Sequence, residues 1–196
     1  MIYDLVIIGL GAMGSSSLYH ASTQYNNILA IEQFEPTHNK GSSHGETRII
    51  REAYYEGEFY VPMAQKSLEL FLKLQEESKQ QLYQKTGCLI VGKEKSKLIR
   101  QSYQSAVKHN VSFKIYKTNQ ELQQKVPGFT LPKGFVGLFD ETAGILYPEK
   151  FLSPCSGHGF KFSSLIGNMA CEILEKQVNK YDMFKIQRLQ EIKPNL

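Results

Sequence analysis

The chain has 196 residues, 41% of them hydrophobic and 21% charged, with a formal net charge of +4. That is an ordinary globular composition with room for one or two domains. Scattered lysines and arginines argue against nucleic acid, the apolar runs are too short to span a bilayer, and no secretory h-region opens the chain, so a cytoplasmic protein is expected.

Tyr3–Ile8 reads as a first strand, and its apolar run Leu5-Val6-Ile7-Ile8 suits a buried parallel strand. It runs into Gly9, Gly11 and Gly14, with a helix expected over Ala12–Gln24 and a second strand over Asn27–Glu32. This βαβ opening sets Glu32 about 20 residues beyond a GxGxxG turn, where an adenosine ribose needs an acceptor. Gly9 permits the tight turn, Gly11 lets the backbone approach a pyrophosphate, and Gly14 allows helix to pack on strand. The helix start offers free N–H groups to the phosphates. Glu32 favours a free ribose over a 2′-phosphate, so NAD and FAD both remain open on this evidence. An ordinary tight turn is the plainer alternative.

Gln33–Thr47 is a long polar loop, a length that is often functional. It leads into Ser42-Ser43-His44-Gly45-Glu46-Thr47-Arg48-Ile49-Ile50-Arg51. Two arginines and a histidine beside a glycine turn could hold an anionic substrate, since the guanidinium fork suits a carboxylate. A solvated loop fits the spacing equally well.

Val61, Ala64, Leu68, Phe71 and Leu72 recur at helical spacing and predict a helix over Val61–Ser78. Strands follow at Leu89–Val91 and Ser112–Tyr116, with a helix at Lys95–His109 between them. Thr118 and Glu121 stand at capping-box spacing before a helical run to Lys125, which Pro127-Gly128 ends. Phe135–Phe139 and Gly144–Tyr147 read as strands.

Pro148–Leu152 starts like a helix, but Ser153-Pro154-Cys155 interrupts it. The glycine-containing loop Ser156–Ser164 then leads into Leu165, Ile166, Met169, Ala170, Ile173 and Leu174 at helical spacing. His158 and Lys161 precede that helix, an arrangement that could stabilise negative charge or simply cap the helix. Residues from about Asn179 show no pattern. Cys88, Cys155 and Cys171 form no CxxC and no metal spacing, so they read as buried thiols and no metal site is expected. His20, His38 and His109 read as surface or core histidines, and the Tyr54-Tyr55 pair as packing.

The two long motifs, Ser-x-His-Gly-x-Thr-Arg-Ile-Ile-Arg at Ser42–Arg51 and Ser-Gly-His-Gly-Phe-Lys-Phe-Ser-Ser at Ser156–Ser164, occur together with the Gly9–Gly14 fingerprint. In these residues, and in Glu32, Pro36-Thr37-His38, the rest of Gly41–Tyr54, Tyr60-Val61-Pro62, Lys85-Thr86-Gly87, Pro127-Gly128 and Gly144–Leu146, the chain resembles the monomeric sarcosine oxidase and N-methyltryptophan oxidase family of FAD-dependent amine oxidases. The resemblance implies an α/β fold, a Rossmann-like FAD-binding domain with a partial, mostly antiparallel-sheet substrate domain. The FAD domain would comprise residues 1–84 and 144–178, the substrate domain 85–143, and an irregular tail 179–196.

The resemblance also implies FAD as cofactor. Gly9, Gly11 and Gly14 would cradle its pyrophosphate, and Glu32 its ribose. Gly157, His158 and Gly159 would face the pyrimidine edge of the flavin, with His44 and Arg48 close to the ring. Arg51 and Lys161 would grip the carboxylate of a small N-methyl amino acid, with oxygen as the final acceptor and hydrogen peroxide as product.

The family carries a segment roughly as long as this whole chain between its two matching regions, and here it is missing near 152–156. That segment supplies most of the substrate sheet, the lysine linked to oxygen activation and the cysteine that holds FAD covalently; Cys155 does not stand in that cysteine's context. The expectation is therefore a retained FAD-domain architecture with weak or no oxidase activity. A non-catalytic FAD- or NAD-binding module working with a partner chain, and a non-functional internal-deletion product, are the other readings.

Overall fold

The computed structural model describes residues 2–34, 38–41, 45–148 and 163–176. It begins with the expected βαβ unit, comprising β1 (Leu5–Ile8), α1 (Ala12–Ala21) and β2 (Ile28–Ile31). The two strands pair in parallel, Leu5 with Ile28 through Ile8 with Ile31. Asp4 sets this register from outside the ladder. Its N–H donates to the Asn27 carbonyl at 2.9 Å, and its carboxylate accepts the Asn27 N–H at 3.2 Å.

Among the described residues only one face of this sheet is covered. Ile7 lies under α1, close to where a side chain on Gly14 would project. The residues pointing the other way stand open: Ile8 is 83% exposed, and Val6 and Ile31 are each 46% exposed. The expectation of a buried strand therefore fails on this face. An apolar run of this kind is written for a sheet covered on both sides, and the described residues supply only the α1 layer.

Two strands escaped the sequence pattern. β3 (Arg48–Ile50) lies in the Ser42–Arg51 motif, for which no strand is expected, and β4 (Tyr83–Lys85) follows the long helix α2 (Tyr60–Ser78). Three residues are too few for a period-2 signal. Both exist because β8 (Gly144–Leu146) pairs antiparallel with each of them. A second antiparallel sheet has the order β5 (Cys88–Lys93), β7 (Phe135–Asp140), β6 (Phe113–Tyr116).

The helix α3 (Lys97–Lys108) packs against this sheet, its N-terminus capped by Ser96, whose hydroxyl accepts the Ile99 N–H at 3.3 Å. The short α4 (Asn119–Lys125) carries the expected capping box between Thr118 and Glu121. Among the described residues no helix is long and apolar enough to cross a membrane, and no cluster of His, Cys, Asp or Glu could hold a metal ion.

Helix α2 ties the core together. Val61 and Ala64 belong to one buried cluster with Tyr54, Ile90, Ile99 and Leu138, while Phe71 belongs to another with Ala12, Ile50 and Leu146. Leu72, expected on the buried stripe, is 42% exposed, and Ser67 is buried in that stripe. Ser67 is covered by the last helix, α5 (Ser163–Lys176), which meets both α2 and α1. There the Ser67 and Ser164 hydroxyls lie 3.0 Å apart, and His20 Nε2 lies 3.2 Å from the Ser164 carbonyl.

At the α1–α5 crossing a Cβ on Gly167 would come within 2.6 Å of the Ser16 carbonyl carbon and 2.7 Å of the Ser17 nitrogen. Backbone cannot yield as a side-chain tip can. Gly167→Ala should therefore push α5 off α1 and cost about 1–3 kcal/mol. Urea unfolding followed by circular dichroism measures this, and an unchanged midpoint would contradict the close crossing.

Candidate cofactor and substrate site

The fingerprint makes a cradle. The Gly9 N–H donates to the Ile31 carbonyl at 2.7 Å, and Gly9 then turns with φ +86, in the region where a side chain is strained. Gly11 is the N-cap of α1, and no side chain caps the helix there. The start of α1 turns its positive dipole end toward the cleft, where an anion would be stabilised. An added Cβ on Gly14 would overlap the Gly9 carbonyl oxygen, so only glycine allows this approach of helix to strand.

Glu32 stands where β2 ends. One carboxylate oxygen accepts the Leu10 N–H at 2.7 Å. The other accepts the N–H groups of Gln33 at 2.7 Å and Phe34 at 3.2 Å. These donors, Leu10 foremost, hold the carboxyl below its ordinary range, so it stays an ionised acceptor. An open cleft of about 570 Å³ runs over Gly9, Gly11 and Gly14 to Glu32, Phe34 and His38.

His38, read from sequence as an unremarkable surface or core residue, lines this cleft. Its Nε2 lies 3.6 Å from Glu32 Oε1, and its ring meets the Phe34 ring edge-on at 4.8 Å. The spacing of a lone histidine in a polar loop announces no such place; the family resemblance at Pro36-Thr37-His38 is the one signal there.

Beyond β3 the chain builds a second constellation. The Arg51 guanidinium donates to Glu56 at 2.7 Å and lies over the Tyr54 and Tyr55 rings, 4.9 and 5.5 Å from their centroids. The Tyr54-Tyr55 pair is thus packing, as expected, but packing that aims an arginine. Arg48 turns its guanidinium back to the Thr47 carbonyl at 2.8 Å. His44, Gly157, His158, Gly159 and Lys161, like Cys155 and the 152–156 junction, lie outside the described residues. The other two cysteines have raised thiol pKa values through burial, in keeping with unreactive thiols.

Asp140 meets Glu52, next to Arg51 in the chain, and sequence reasoning missed both. Asp140, fully buried at the end of β7, accepts the N–H groups of Glu52 and Ala53 at 2.8 and 2.9 Å. It also accepts the N–H groups of Thr142 and Ala143 and the Thr142 hydroxyl. The Asp-x-Thr spacing is a readable Asx-turn signal; the reach to Glu52 is not.

Glu52 accepts from the Gln65 amide at 3.0 Å, and burial pushes its carboxyl pKa up. The folded chain then holds this proton more tightly than the unfolded chain, so its contribution becomes unfavourable as pH rises past the unfolded value. Glu52→Gln, which keeps an acceptor for Gln65, should leave stability nearly unchanged near pH 4 and raise it relative to the parent toward pH 7. Paired urea midpoints at the two pH values check this; an equal difference at both would refute it.

The family model described as FAD dependent oxidoreductase matches residues 4–154. The chain belongs to the FAD dependent oxidoreductase family. Its glycine-lined cleft, uncapped helix start and ionised Glu32 fit FAD.

Among curated relatives, the monomeric sarcosine oxidase of Bacillus sp. (strain B-0618) is 34% identical over 148 residues, which is 75% of this chain and 38% of the relative. The peroxisomal sarcosine oxidase of Homo sapiens is 34% identical over 151 residues, 77% of this chain and 38% of that protein. The N-methyl-L-tryptophan oxidase of Yersinia pestis (strain Pestoides F) is 36% identical over 149 residues, 76% of this chain and 40% of that protein. The chain thus spans well under half the length of these relatives.

Solved structures support the Rossmann-like FAD-binding fold. NikD, an unusual amino acid oxidase, superposes with a TM-score of 0.61 at 18% identity, covering 84% of this chain and 42% of that one. L-proline dehydrogenase from P. horikoshii gives 0.61 at 22% identity with the same coverage.

Proposed function

We propose that this chain is the flavin-binding part of an oxidoreductase of the sarcosine oxidase type, acting on small N-methyl amino acids in the cytoplasm. The observation that carries this reading is the cleft in which the Gly14 approach and the ionised Glu32 flank the uncapped start of α1. Glu32 would hold the ribose hydroxyls of FAD, and Gly9, Gly11 and Gly14 its pyrophosphate. When bound, FAD supplies a two-electron acceptor that oxygen can reoxidise, giving hydrogen peroxide.

Arg51 would bind the substrate carboxylate through its two-pronged fork. In the structure Glu56 holds one prong, so a bound carboxylate takes the place of Glu56. The roles read for His44, Arg48, Lys161 and Gly157–Gly159 remain part of this proposal. So do the assignment of residues 85–143 to the substrate side and weak or absent turnover without the segment missing near 152–156.

The open face at Val6, Ile8 and Ile31 favours a second reading, a non-catalytic flavin module completed by further polypeptide.

The test begins with the purified chain incubated with FAD and desalted. Retained flavin absorbance, lost in Glu32→Ala, supports the reading, and equal retention by both proteins refutes the role of Glu32. Peroxide release with sarcosine would show catalysis; bound flavin without peroxide selects the module.

A further inference from the structure

We infer that Asp140 is a positioning residue for Arg51, acting through the backbone that follows it. The inference rests on the reading of Arg51 as the carboxylate-binding group. Strand β3 ends at Ile50, which pairs with Gly144, so the ladder offers nothing to the N–H groups of Glu52 and Ala53. Asp140 takes both. The division of labour between its oxygens carries the argument. Oδ1 closes the local turn, accepting from Thr142 N–H at 2.9 Å, Ala143 N–H at 3.1 Å and the Thr142 hydroxyl at 2.6 Å. An Asx turn needs only that one oxygen. Oδ2 is spent entirely on a segment almost ninety positions earlier, the two residues immediately after Arg51.

The clamp fixes where Arg51 leaves the backbone. Its Nη1 reaches back to the Ala53 carbonyl at 3.4 Å, and its ring partner Tyr54 is anchored in the core, where the Ser105 hydroxyl holds the Tyr54 carbonyl at 2.7 Å. A bidentate grip on a carboxylate tolerates little angular error. A buried carboxylate that locks the adjoining peptide groups supplies that accuracy without touching the ligand.

The experiment labels arginines of the purified chain, with FAD supplied, using phenylglyoxal and reads each site by peptide mass spectrometry. Arg100, exposed on α3, is the internal reference. In Asp140→Asn, Arg51 should react several-fold faster while Arg100 is unchanged, and more sarcosine should be needed to protect Arg51. An unchanged rate at Arg51, or equal acceleration at both arginines, overturns the inference. If Asp140→Asn fails to fold, Thr142→Val removes one donor from Oδ1 and so loosens the seat of the carboxylate whose Oδ2 forms the clamp; it should give a smaller change of the same selective kind, with the same two contrary results. Failure of sarcosine to protect Arg51 in the parent chain overturns the carboxylate reading and this inference with it. Protection with no effect of either variant overturns the inference alone.

Discussion

Gly14→Ala should abolish FAD retention and destabilise the chain by about 3 kcal/mol, the upper end for forcing volume into a packed contact. The added methyl overlaps the Gly9 carbonyl oxygen, and beyond it stands the Ile7 side chain at 3.5 Å. Neither neighbour can rotate away, because the Gly9 carbonyl belongs to the turn and Ile7 to β1. Helix α1 must therefore shift. That shift displaces the N–H groups proposed to meet the pyrophosphate and disturbs the contacts of α1 with α5. Urea unfolding gives the stability change, and flavin absorbance after desalting gives the retention. A variant that folds with an unchanged midpoint and still carries FAD would show that the approach of helix to strand is not as close as described.

Asp140→Ala should be the most damaging single change outside the fingerprint. It strands four backbone N–H groups and one hydroxyl that now converge on one buried carboxylate. Each unsatisfied buried donor costs about 1–3 kcal/mol, although water entering the space left behind can serve some of them. A loss of about 4 kcal/mol or more is expected, a large share of the roughly 5–15 kcal/mol that holds a domain folded. The same urea measurement decides. A loss below about 1 kcal/mol would mean that these donors find other partners and that the carboxylate is dispensable.

What the sequence disclosed follows from the range of the forces involved. The βαβ opening, the Thr118–Glu121 box and helix α5 are local patterns, written in adjacent turns of chain, and all three are present. The short strands β3 and β4 were invisible because their existence depends on β8, at the far end of the chain. The same holds for the site. Gly9, Gly14 and Glu32 announce themselves by spacing. The clamp from Asp140 to Glu52 arises only once distant segments meet, and the approach of His38 to Glu32, six positions away, follows neither a helical nor a strand period. Leu72 shows the limit from the other side, since a helical stripe predicts a buried face but not where the neighbouring layer ends.

The single-sided cover over β1 and β2 sets how cofactor and folding are linked. A two-stranded pair with one face open has the fewest partners to hold its amides, so these strands should exchange their amide hydrogens ahead of β5 and β7, which are packed under α3. A ligand that binds only the closed form protects that form in proportion to its concentration over its dissociation constant. FAD would then act as a folding ligand for the strands that frame it, and slowed amide exchange at Leu5–Ile8 would register its binding even without turnover.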